Sequence, residues 1–407
     1  MNNKSLSSTT YKPSSPEELE RLISELFNQD TPWQPSGLGS RLKWGPPVSC
    51  LSNIVSIQEL NQIVDYAKND LTVTVQAGMP LADLQRSLAE ENQWLSVDWP
   101  WGTQLKTKSA TAGSIGGLIA RGLSGSLRAK YMGVRDQLIG IGLIRTDGIT
   151  AHAGGKVVKN VAGYDLMRLL CGSWGSLALI TEVTLRTQPI RTAHLKICIE
   201  GLLQDLESFR AALMRTSLTP EYCDWVGMIK ETCHLEIGLA SINKEAVEDQ
   251  IHHISALATS HQVGVSSHQW EGPLIEKSHE ISIDSEEYWL LRFVLPPSKV
   301  SELLETNALN ELGAWNYRIA ASIGVGETWG EDCKSVTENL MNKKINDLRK
   351  KVESLDGHLI ILNQPDNTNK RLPSWLDSAS KISIESIKTQ FDPKQQLSIG
   401  KLPGREG

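Results

Sequence analysis

Gly113-Ser114-Ile115-Gly116-Gly117 opens the stretch that decides the fold, which runs from Ala110 to Glu182. Three more glycine clusters follow within it: Gly122-Leu123-Ser124-Gly125, Gly154-Gly155 and Gly172-Ser173-Trp174-Gly175. Glycine adopts positive φ and lets the backbone approach a ligand closely, and successive N–H groups in such turns form anion-binding nests. None of the clusters has the pattern of a P-loop or of a G-x-G-x-x-G dinucleotide loop. The stretch therefore predicts a phosphate-binding pocket of another kind.

Upstream of this stretch, the hydrophobic pattern predicts three helices and one strand. A capping box at Ser15 to Glu18 begins the first helix. Residues 71–76 alternate as a strand, and residues 81–88 form the third helix. Between the first helix and this strand, Ser56 to Glu59 repeats the capping box, and a second helix is predicted from the apolar stripe of Leu60, Ile63, Val64 and Ala67. Residues 34–41 are predicted to form a tight glycine turn, too short and irregular for a strand.

Inside the stretch, residues 138–144 form a nearly continuous apolar run, which is typical of a buried strand. Residues 149–153 are predicted to return as the second strand of a hairpin. A short helix at 166–170 and a last strand at 177–186 follow. From Ile190 to about Lys381 glycine thins out and charges rise. We predict a disordered N-terminus over 1–12, a first domain over 13–190, an α+β domain over 191–381, and a C-terminal helix and tail over 382–407.

The bulk composition excludes several classes of partner. The formal net charge is −6 and the isoelectric point is about 5.9, so nothing indicates nucleic-acid binding. Six scattered cysteines without C-x-x-C spacing disfavour an iron–sulfur cluster, a zinc site or a disulfide framework in this chain. A reducing, cytoplasmic location is therefore expected. No apolar run approaches the ~18 residues of a spanning helix, so contact with a membrane would be peripheral, through partners.

Several motifs occur in a fixed order along the chain. They are Ser36-Gly37-Leu38-Gly39-Ser40, Ala77-Gly78-Met79-Pro80-Leu81-Ala82-Asp83-Leu84, Ser114-Ile115-Gly116-Gly117, Val134-Arg135-Asp136, Lys159-Asn160-Val161-Ala162-Gly163-Tyr164-Asp165, Gly172-Ser173-Trp174-Gly175-Ser176-Leu177-Ala178 and Phe391-Asp392-Pro393. In this order they resemble the flavin-binding domain of the vanillyl-alcohol oxidase and para-cresol methylhydroxylase (PCMH) superfamily. Within it, the chain looks most like the flavin subunits E of glycolate dehydrogenases. The resemblance covers residues 13–190 well, the tail moderately and the intervening domain weakly.

The chain departs from the family pattern at five positions. Ser114 and Ser176 replace threonine and keep a hydroxyl, while Ala178 adds a methyl group where the family has glycine. In the tail, Ser398 replaces asparagine and Lys401 replaces arginine. Because lysine lacks the planar fork of arginine, the usual contacts of the tail are put in doubt.

The resemblance implies an α+β fold: a PCMH-type FAD-binding domain of two α/β subdomains and a C-terminal α+β cap domain that forms the substrate pocket. It also implies bound FAD, with the loops at 37–40 and 114–117 offering N–H groups and hydroxyls to the pyrophosphate. Some relatives attach flavin to an early histidine, whereas the first histidine here is His152, so non-covalent FAD is predicted. The predicted cofactor-binding residues are Ser36, Gly37, Leu38, Gly39, Ser40, Gly113, Ser114, Ile115, Gly116, Gly117, Gly125, Val161 and Ile180.

Two functions are compatible with this resemblance. The first is an FAD-dependent oxidoreductase subunit that oxidises a small 2-hydroxy acid, such as glycolate to glyoxylate, and passes electrons to a second flavin subunit and an iron–sulfur subunit. The second is a non-catalytic subunit that holds FAD for assembly. A third alternative, a UDP-sugar enolpyruvyl reductase, is disfavoured because the expected Asn-Ala-Gly run is missing after Gly117.

The sequence assigns neither a catalytic residue nor a metal site. Related 2-hydroxy-acid dehydrogenases carry a histidine-rich metal element, and the corresponding run here, Asp356-Gly357-His358, lacks its second histidine. His358 is therefore interpreted as a strand-end residue. His252 and His253 are adjacent, so on a helix they diverge by about 100° and make a poor shared site.

Overall fold

The computed structural model describes residues 9–47, 53–97, 113–155, 166–270, 272, 288–331, 338–365 and 371–405. The helices in these ranges are α1 (Pro16–Asn28), α2 (Leu81–Ala89), α3 (Ile115–Arg121), α4 (Arg128–Tyr131), α5 (Val134–Gln137), α6 (Leu166–Leu170), α7 (Leu203–Leu213), α8 (Lys244–Ser260), α9 (Val300–Leu304), α10 (Asn307–Asn310), α11 (Glu338–Ser354) and α12 (Lys381–Phe391). The strands are β1 (Thr10–Tyr11), β2 (Trp33–Ser36), β3 (Asn53–Ser56), β4 (Ile63–Ala67), β5 (Thr72–Gln76), β6 (Gln93–Trp94), β7 (Leu138–Ile144), β8 (Thr150–Gly154), β9 (Leu179–Arg186), β10 (Gln188–Pro189), β11 (Ala193–Glu200), β12 (Tyr222–Met228), β13 (His234–Ser241), β14 (Gly264–Gln269), β15 (Tyr288–Val294), β16 (Asn316–Ala320), β17 (Val325–Glu331) and β18 (His358–Asn363).

The chain divides into two compact units. The first unit comprises Met1–Ser124, Met132–Ile190 and Trp375–Gly407, and the second comprises Gly125–Tyr131 and Arg191–Ser374. The mixture of helix and sheet predicted from the sequence is confirmed in both.

The first unit is built on two main sheets. A five-stranded antiparallel sheet has the order β4-β5-β9-β7-β8, and a three-stranded parallel sheet has the order β1-β3-β2. One continuous apolar core joins them, with Leu19 and Ile23 of α1, Val75 of β5 and Ile115 of α3 fully buried. The core fixes the positions of the loops that leave β2 and precede α3, and these loops carry the glycine motifs.

Most local predictions in this unit are confirmed. Ser15 caps α1, because its hydroxyl accepts a hydrogen bond from the Glu18 amide at 3.2 Å. The hairpin also forms, since β7 pairs antiparallel with β8. The apolar run of β7 is buried along nearly its whole length, as the absence of alternation indicated.

The helix predicted over residues 56–67 is wrong. The segment instead makes a tight turn, in which the Leu60 amide donates to the Ile57 carbonyl, and then runs as β4, antiparallel to β5. Ile57 and Leu60 enter the core through the turn, while Ile63 and Val64 are exposed. The β-branched pair suits the pleated surface of an edge strand, and pairing with β5 outweighs the local helical pattern.

Two further segments differ from the prediction: the start of the glycine turn at 34–41, and the N-terminal residues predicted to be disordered. Residues 33–36 form β2, because they pair in parallel with β3, so only residues after Ser36 make the turn. Thr10 and Tyr11 were placed in a disordered N-terminus, but they pair with Ile54 and Val55 as β1.

The second unit contains an eight-stranded antiparallel sheet with the order β14-β11-β13-β12-β16-β17-β15-β18. Helix α8 packs on β11 and β13, and α11 packs on β18. Because side chains alternate along a strand, Leu235 and Ile237 of β13 enter the core, and Glu236 stands on the opposite face.

The described residues also show the state of the cysteines and the character of the helices. The four cysteines in these ranges, Cys171, Cys198, Cys223 and Cys233, are free thiols. Among the helices in the same ranges, none has the length and apolar character needed to span a bilayer.

Candidate functional site

A cavity in the first unit is formed by three segments that are far apart in sequence. The first segment is the end of β2 with the turn after it, the second is α3 with the residues before it, and the third leads into β9, while Ile57 after β3 completes the wall. The lining residues are Pro35, Ser36, Gly37, Leu38, Gly39, Ser40, Arg41, Leu42, Ile57, Gly113, Ser114, Gly116, Gly117, Ala120, Arg121, Trp174, Gly175, Ala178, Leu179 and Ile180.

The first two segments touch at a point where only glycine fits. A Cβ placed on Gly37 would lie 1.9 Å from the Ser114 hydroxyl oxygen and 2.6 Å from its Cβ. Gly113 has φ +79°, and a Cβ there would lie 2.5 Å from Arg41 Nη1. These glycines are required because the two segments approach each other closely, and the contact sets the shape of the cavity.

The amide groups of the two segments have different roles. The amides of Ile115, Gly116 and Gly117 donate within the protein, to the Met79 carbonyl, the Ala77 carbonyl and the Ser114 hydroxyl respectively. In the described part of the chain, no acceptor pairs with the amides of residues 37–40. Unpaired donors in a cavity wall suit an anionic ligand, particularly in a turn where Gly39 has φ +75°. The donors available to a ligand therefore lie at 37–40, whereas both loops were expected to supply them.

Two arginines lie in the cavity wall. Arg41 Nη1 donates to the Ser40 hydroxyl at 3.1 Å, and the guanidinium carbon of Arg41 lies 5.2 Å from the Trp44 ring centroid. Arg121 Nη2 donates to the Arg41 carbonyl at 2.8 Å, and its guanidinium carbon lies 4.0 Å from the Trp174 ring centroid. No acidic residue is among the described residues that line the cavity, so its wall is positively charged.

The C-terminal tail contacts the segments that form the cavity. The Ser398 hydroxyl donates to the Gly175 carbonyl at 2.9 Å. Lys401 Nζ donates to the carbonyls of Leu42 and Trp44, the second at 3.3 Å. The two residues that depart from the family tail pattern therefore make contacts of their own, and these contacts fix both ends of the cavity wall.

Ten of the residues predicted from the sequence line this cavity. They are Ser36, Gly37, Leu38, Gly39, Ser40, Gly113, Ser114, Gly116, Gly117 and Ile180. Ile115 lies in the apolar core instead, Gly125 belongs to the second unit and is not in the wall, and Val161 lies outside the described residues. The sequence missed Arg41, Arg121 and Trp174, although Arg121 is the one charged residue in the run Ser114–Gly125.

The second unit carries a paired network of charges on the face of its sheet opposite the core. Arg318 donates to Asp224 and, at 2.7 Å, to Glu236, which also accepts from the Tyr222 hydroxyl at 2.9 Å. Burial opposes ionisation of Glu236, but Arg318 and then Lys196 outweigh it and lower its pKa to about 2. Burial raises the pKa of Asp224, against the effect of Arg318. Because these charges satisfy one another, the network is not assigned a catalytic base.

The histidines of the second unit that the structure describes show no arrangement suited to a metal. His358 is the first residue of β18 and is exposed. Over the described ranges, no group of three or more histidine, cysteine, aspartate or glutamate side chains is placed to hold a metal ion.

Comparison with protein families supports the cofactor. Residues 8–154 match the family model described as "FAD binding domain". The residues on the wall fit this group, because the amides at 37–40 have no acceptor among the described residues and the described wall carries two arginines and no acidic residue, which suits the phosphates of FAD. The first unit is thus an FAD-binding unit, and the chain is a flavoprotein.

The most informative curated relatives act on 2-hydroxy acids according to their names. The chain is 32% identical over 186 residues to glycolate oxidase subunit GlcE of Escherichia coli, covering 46% of this chain and 51% of that protein. It is 29% identical over 185 residues to glycolate oxidase subunit GlcD of Bacillus subtilis, covering 46% and 38%. It is 30% identical over 206 residues to D-2-hydroxyglutarate dehydrogenase of Xanthomonas citri pv. viticola, covering 49% and 42%. The chain thus spans about half or less of the length of these relatives.

The fold extends beyond the part of the chain with similar sequence. A structure of alkyldihydroxyacetonephosphate synthase superposes with a TM-score of 0.71 at 16% identity, covering 97% of this chain and 77% of that chain. A second crystal form gives 0.68 over 96% of this chain and 76% of that chain, also at 16% identity. The α+β fold with an FAD-binding domain that was predicted from the sequence is confirmed by this likeness together with the family match of residues 8–154; at such low identity the likeness itself concerns the fold alone.

Proposed function

We propose that the chain is an FAD-dependent oxidoreductase subunit that oxidises a small 2-hydroxy acid, with glycolate as the first candidate. The observation that carries this proposal is the glycine-walled, positively charged cavity in a domain matched as FAD-binding. The names of the similar proteins, glycolate oxidase subunits and D-2-hydroxyglutarate dehydrogenase, support the substrate class. Bound FAD supplies the chemistry, since it accepts two electrons from a substrate and can release them singly.

The residues of this chain would hold and orient the cofactor. Amides 37–40 and the Arg121 guanidinium would bind its anionic part, and the close contact of Gly37 with Ser114 would keep the cavity walls in register. Ile180 and its neighbours would line the adenine side. The FAD is proposed to be non-covalent, and acid precipitation of the purified chain tests this: the flavin should remain in the supernatant, and flavin in the pellet would contradict it.

The substrate is tested by anaerobic mixing of the FAD-loaded chain with single 2-hydroxy acids. Glycolate, D-2-hydroxyglutarate and D-lactate are the candidates, and L-lactate is the matched control because it differs from D-lactate only in configuration. We expect one of the candidates to bleach the visible absorption band of the flavin. Bleaching by none of them, with or without partner proteins, would contradict the proposed reaction.

The proposed partners are a second flavin subunit and an iron–sulfur subunit. GlcE and GlcD are named as subunits of glycolate oxidase, which supports assembly with further chains. Electrons would pass from the flavin to such a partner, in a location proposed to be cytoplasmic. Co-expression followed by co-purification tests the assembly, and isolation of the chain alone from cells that contain all three would contradict it.

The second candidate is a subunit that holds FAD for assembly without catalysing the oxidation. It is favoured by the position of His358, which is exposed at the start of β18 and joins no group of metal-binding side chains in the described residues. The same anaerobic experiment separates the two candidates. Bleaching by the chain alone supports catalysis here, and bleaching only in the presence of a second flavin subunit supports the assembly role.

A further inference from the structure

Arg121 is a buried cation that the glycine motifs did not reveal. It is the last residue of α3, and its side chain turns back into the cavity wall. Its Nη2 donates to the Arg41 carbonyl at 2.8 Å, but Nη1 is buried and has no hydrogen-bond partner within the described ranges. Nor does any carboxylate in those ranges form a salt bridge with it. Burial lowers the pKa of Arg121 to about 9, so it still carries a charge at neutral pH.

Trp174 holds this guanidinium from one side. The guanidinium carbon lies 4.0 Å from the centroid of the ring, which is a cation–π contact. Trp174 is 8% exposed, its ring meets that of Trp375 edge-on at 5.0 Å, and its backbone has φ +57°. Such a backbone conformation is unfavourable for a bulky residue. Gly45, with φ +78°, passes so close that a Cβ would lie 2.5 Å from the ring. The surrounding chain therefore imposes the position of this ring.

A buried charge without a counter-ion destabilises a protein unless a ligand supplies the opposite charge. The indole face offsets only part of the free-energy cost of burying the Arg121 charge, and it gives the Nη1 donor no acceptor. An anionic ligand in this cavity would contact two arginines and the unpaired amides of residues 37–40. The described wall carries no acidic residue that would repel it.

We propose that Arg121, stacked on Trp174 and steadied by the Arg41 carbonyl, binds the diphosphate of FAD and is the main charged determinant of its affinity. A planar guanidinium suits this task, because its N–H groups can donate to two phosphate oxygens while its face rests on the indole. Arg121 and Trp174 are thus cofactor-binding residues in addition to the glycine loops. The proposal deepens the cofactor part of the proposed function and is independent of the substrate.

The test measures binding and not turnover. Deflavinated full-length protein is titrated with FAD, and quenching of flavin fluorescence gives the dissociation constant. Inorganic pyrophosphate is then added as a competitor that has the diphosphate but neither ring. The variants are Arg121→Gln, which removes the charge, and Arg121→Lys, which keeps the charge but loses the planar fork. Arg86→Gln is the matched control, because Arg86 is exposed on α2 and forms a surface ion pair with Asp83.

We expect Arg121→Gln to weaken FAD binding by roughly 10- to 100-fold, the range for a hydrogen bond to a charged group. Pyrophosphate competition should weaken by a similar factor. The FAD affinity of Arg121→Lys should lie between those of Arg121→Gln and the parent. The FAD affinity of Arg86→Gln should stay within about twofold of the parent. Melting curves of the apo variants show whether each is folded, and the lysine variant keeps the test decisive if the glutamine variant unfolds.

Three results would overturn the proposal. One is FAD affinity in both Arg121 variants within about threefold of the parent. Another is weaker FAD binding with pyrophosphate competition unchanged, which would mean that Arg121 only supports the surrounding wall. The third is a failure of pyrophosphate to compete in the parent protein. None of these results depends on whether a 2-hydroxy acid reduces the flavin, so the proposed reaction stands or falls separately.

Discussion

Replacing Gly37 with alanine should force apart the two segments that form the FAD cavity. The added Cβ would lie 1.9 Å from the Ser114 oxygen, and an ordinary contact begins at 3.4 Å, so the segments must separate by about 1.5 Å. Rotating the Ser114 hydroxyl away reduces the required separation to about 0.8 Å but does not remove it, because the Ser114 Cβ would still be 2.6 Å from the new atom. Overpacking of this kind costs about 1–3 kcal/mol.

Thermal unfolding of the apo protein and FAD titration measure the two consequences. For a unit of about 200 residues, each kcal/mol corresponds to roughly 2–4 °C in melting temperature. We expect Gly37→Ala to lower the transition of the first unit accordingly. FAD affinity should fall at least tenfold, because a shift of about 0.8 to 1.5 Å breaks hydrogen bonds to a ligand that touches both segments. Gly264→Ala is the control outside the cavity: Gly264 is exposed in β14, and its Cβ would meet the Glu200 carbonyl oxygen at an ordinary 3.5 Å, so melting temperature and FAD affinity should both stay near those of the parent.

A double-mutant cycle shows whether the clash is the cause. Ser114→Gly alone should cost only a few tenths of a kcal/mol, since it replaces one helix cap with a tolerated one. Combined with Gly37→Ala it removes both clashing atoms, and the next atom, Ser114 Cα, lies 3.9 Å away. The double variant should therefore be more stable than Gly37→Ala, with a coupling energy of about 1–3 kcal/mol. Additive effects, or an unchanged melting temperature in Gly37→Ala, would refute the reasoning.

Two other perturbations test the charges that hold each unit. Lys388→Met should destabilise the first unit by about 3–5 kcal/mol in chemical unfolding, because it leaves the fully buried Asp392 without its cation. The control Lys381→Met removes the exposed surface pair with Asp377 and should cost under about 1 kcal/mol, and equal effects of the two variants would contradict this. Glu236 has a folded-state pKa of about 2 against an ordinary 4.5, since Arg318, Lys196 and the hydrogen bonds from Arg318 and Tyr222 together outweigh the effect of burial. Its ionised form therefore stabilises the second unit above pH 4.5, and this contribution is lost as pH falls. The stability gap between the parent and Glu236→Gln should shrink by about 2 kcal/mol from pH 6 to pH 3 in urea unfolding, and a gap independent of pH would count against the ion pair.

The fold was predictable from sequence where the signal is local and strong. The cap at Ser15 and the apolar run of β7 depend on neighbouring residues, so their patterns determined the outcome. The segment at 56–67 shows the limit of this reasoning. Its apolar residues do have helical spacing, but the segment gains hydrogen bonds by pairing with β5 as β4. The local pattern carries no information about this pairing.

The candidate site was predictable only in its backbone part. The positions of Gly37 and Gly113 can be read from the sequence, because the close contacts there accept only glycine and glycine-rich loops are visible as a pattern. Arg121 and Trp174 are 53 positions apart, and each looks ordinary alone, since arginine commonly ends a helix and tryptophan commonly fills a core. Their function depends on a contact made by tertiary packing, so it could be inferred only from the structure.

The C-terminal tail shows why a departure from a family motif need not remove a contact. Arginine at position 401 was expected to be needed for a planar, two-pronged interaction, yet Lys401 meets two backbone carbonyls, Leu42 and Trp44. Carbonyl oxygens can be satisfied by the rotatable donors of an ammonium group, so lysine is adequate here. The carbonyls belong to the segment that continues the loop at 37–40. Docking of the tail and binding of FAD therefore act on the same loop, and by thermodynamic linkage any effect of tail docking on FAD affinity is matched by an equal effect of FAD on tail docking.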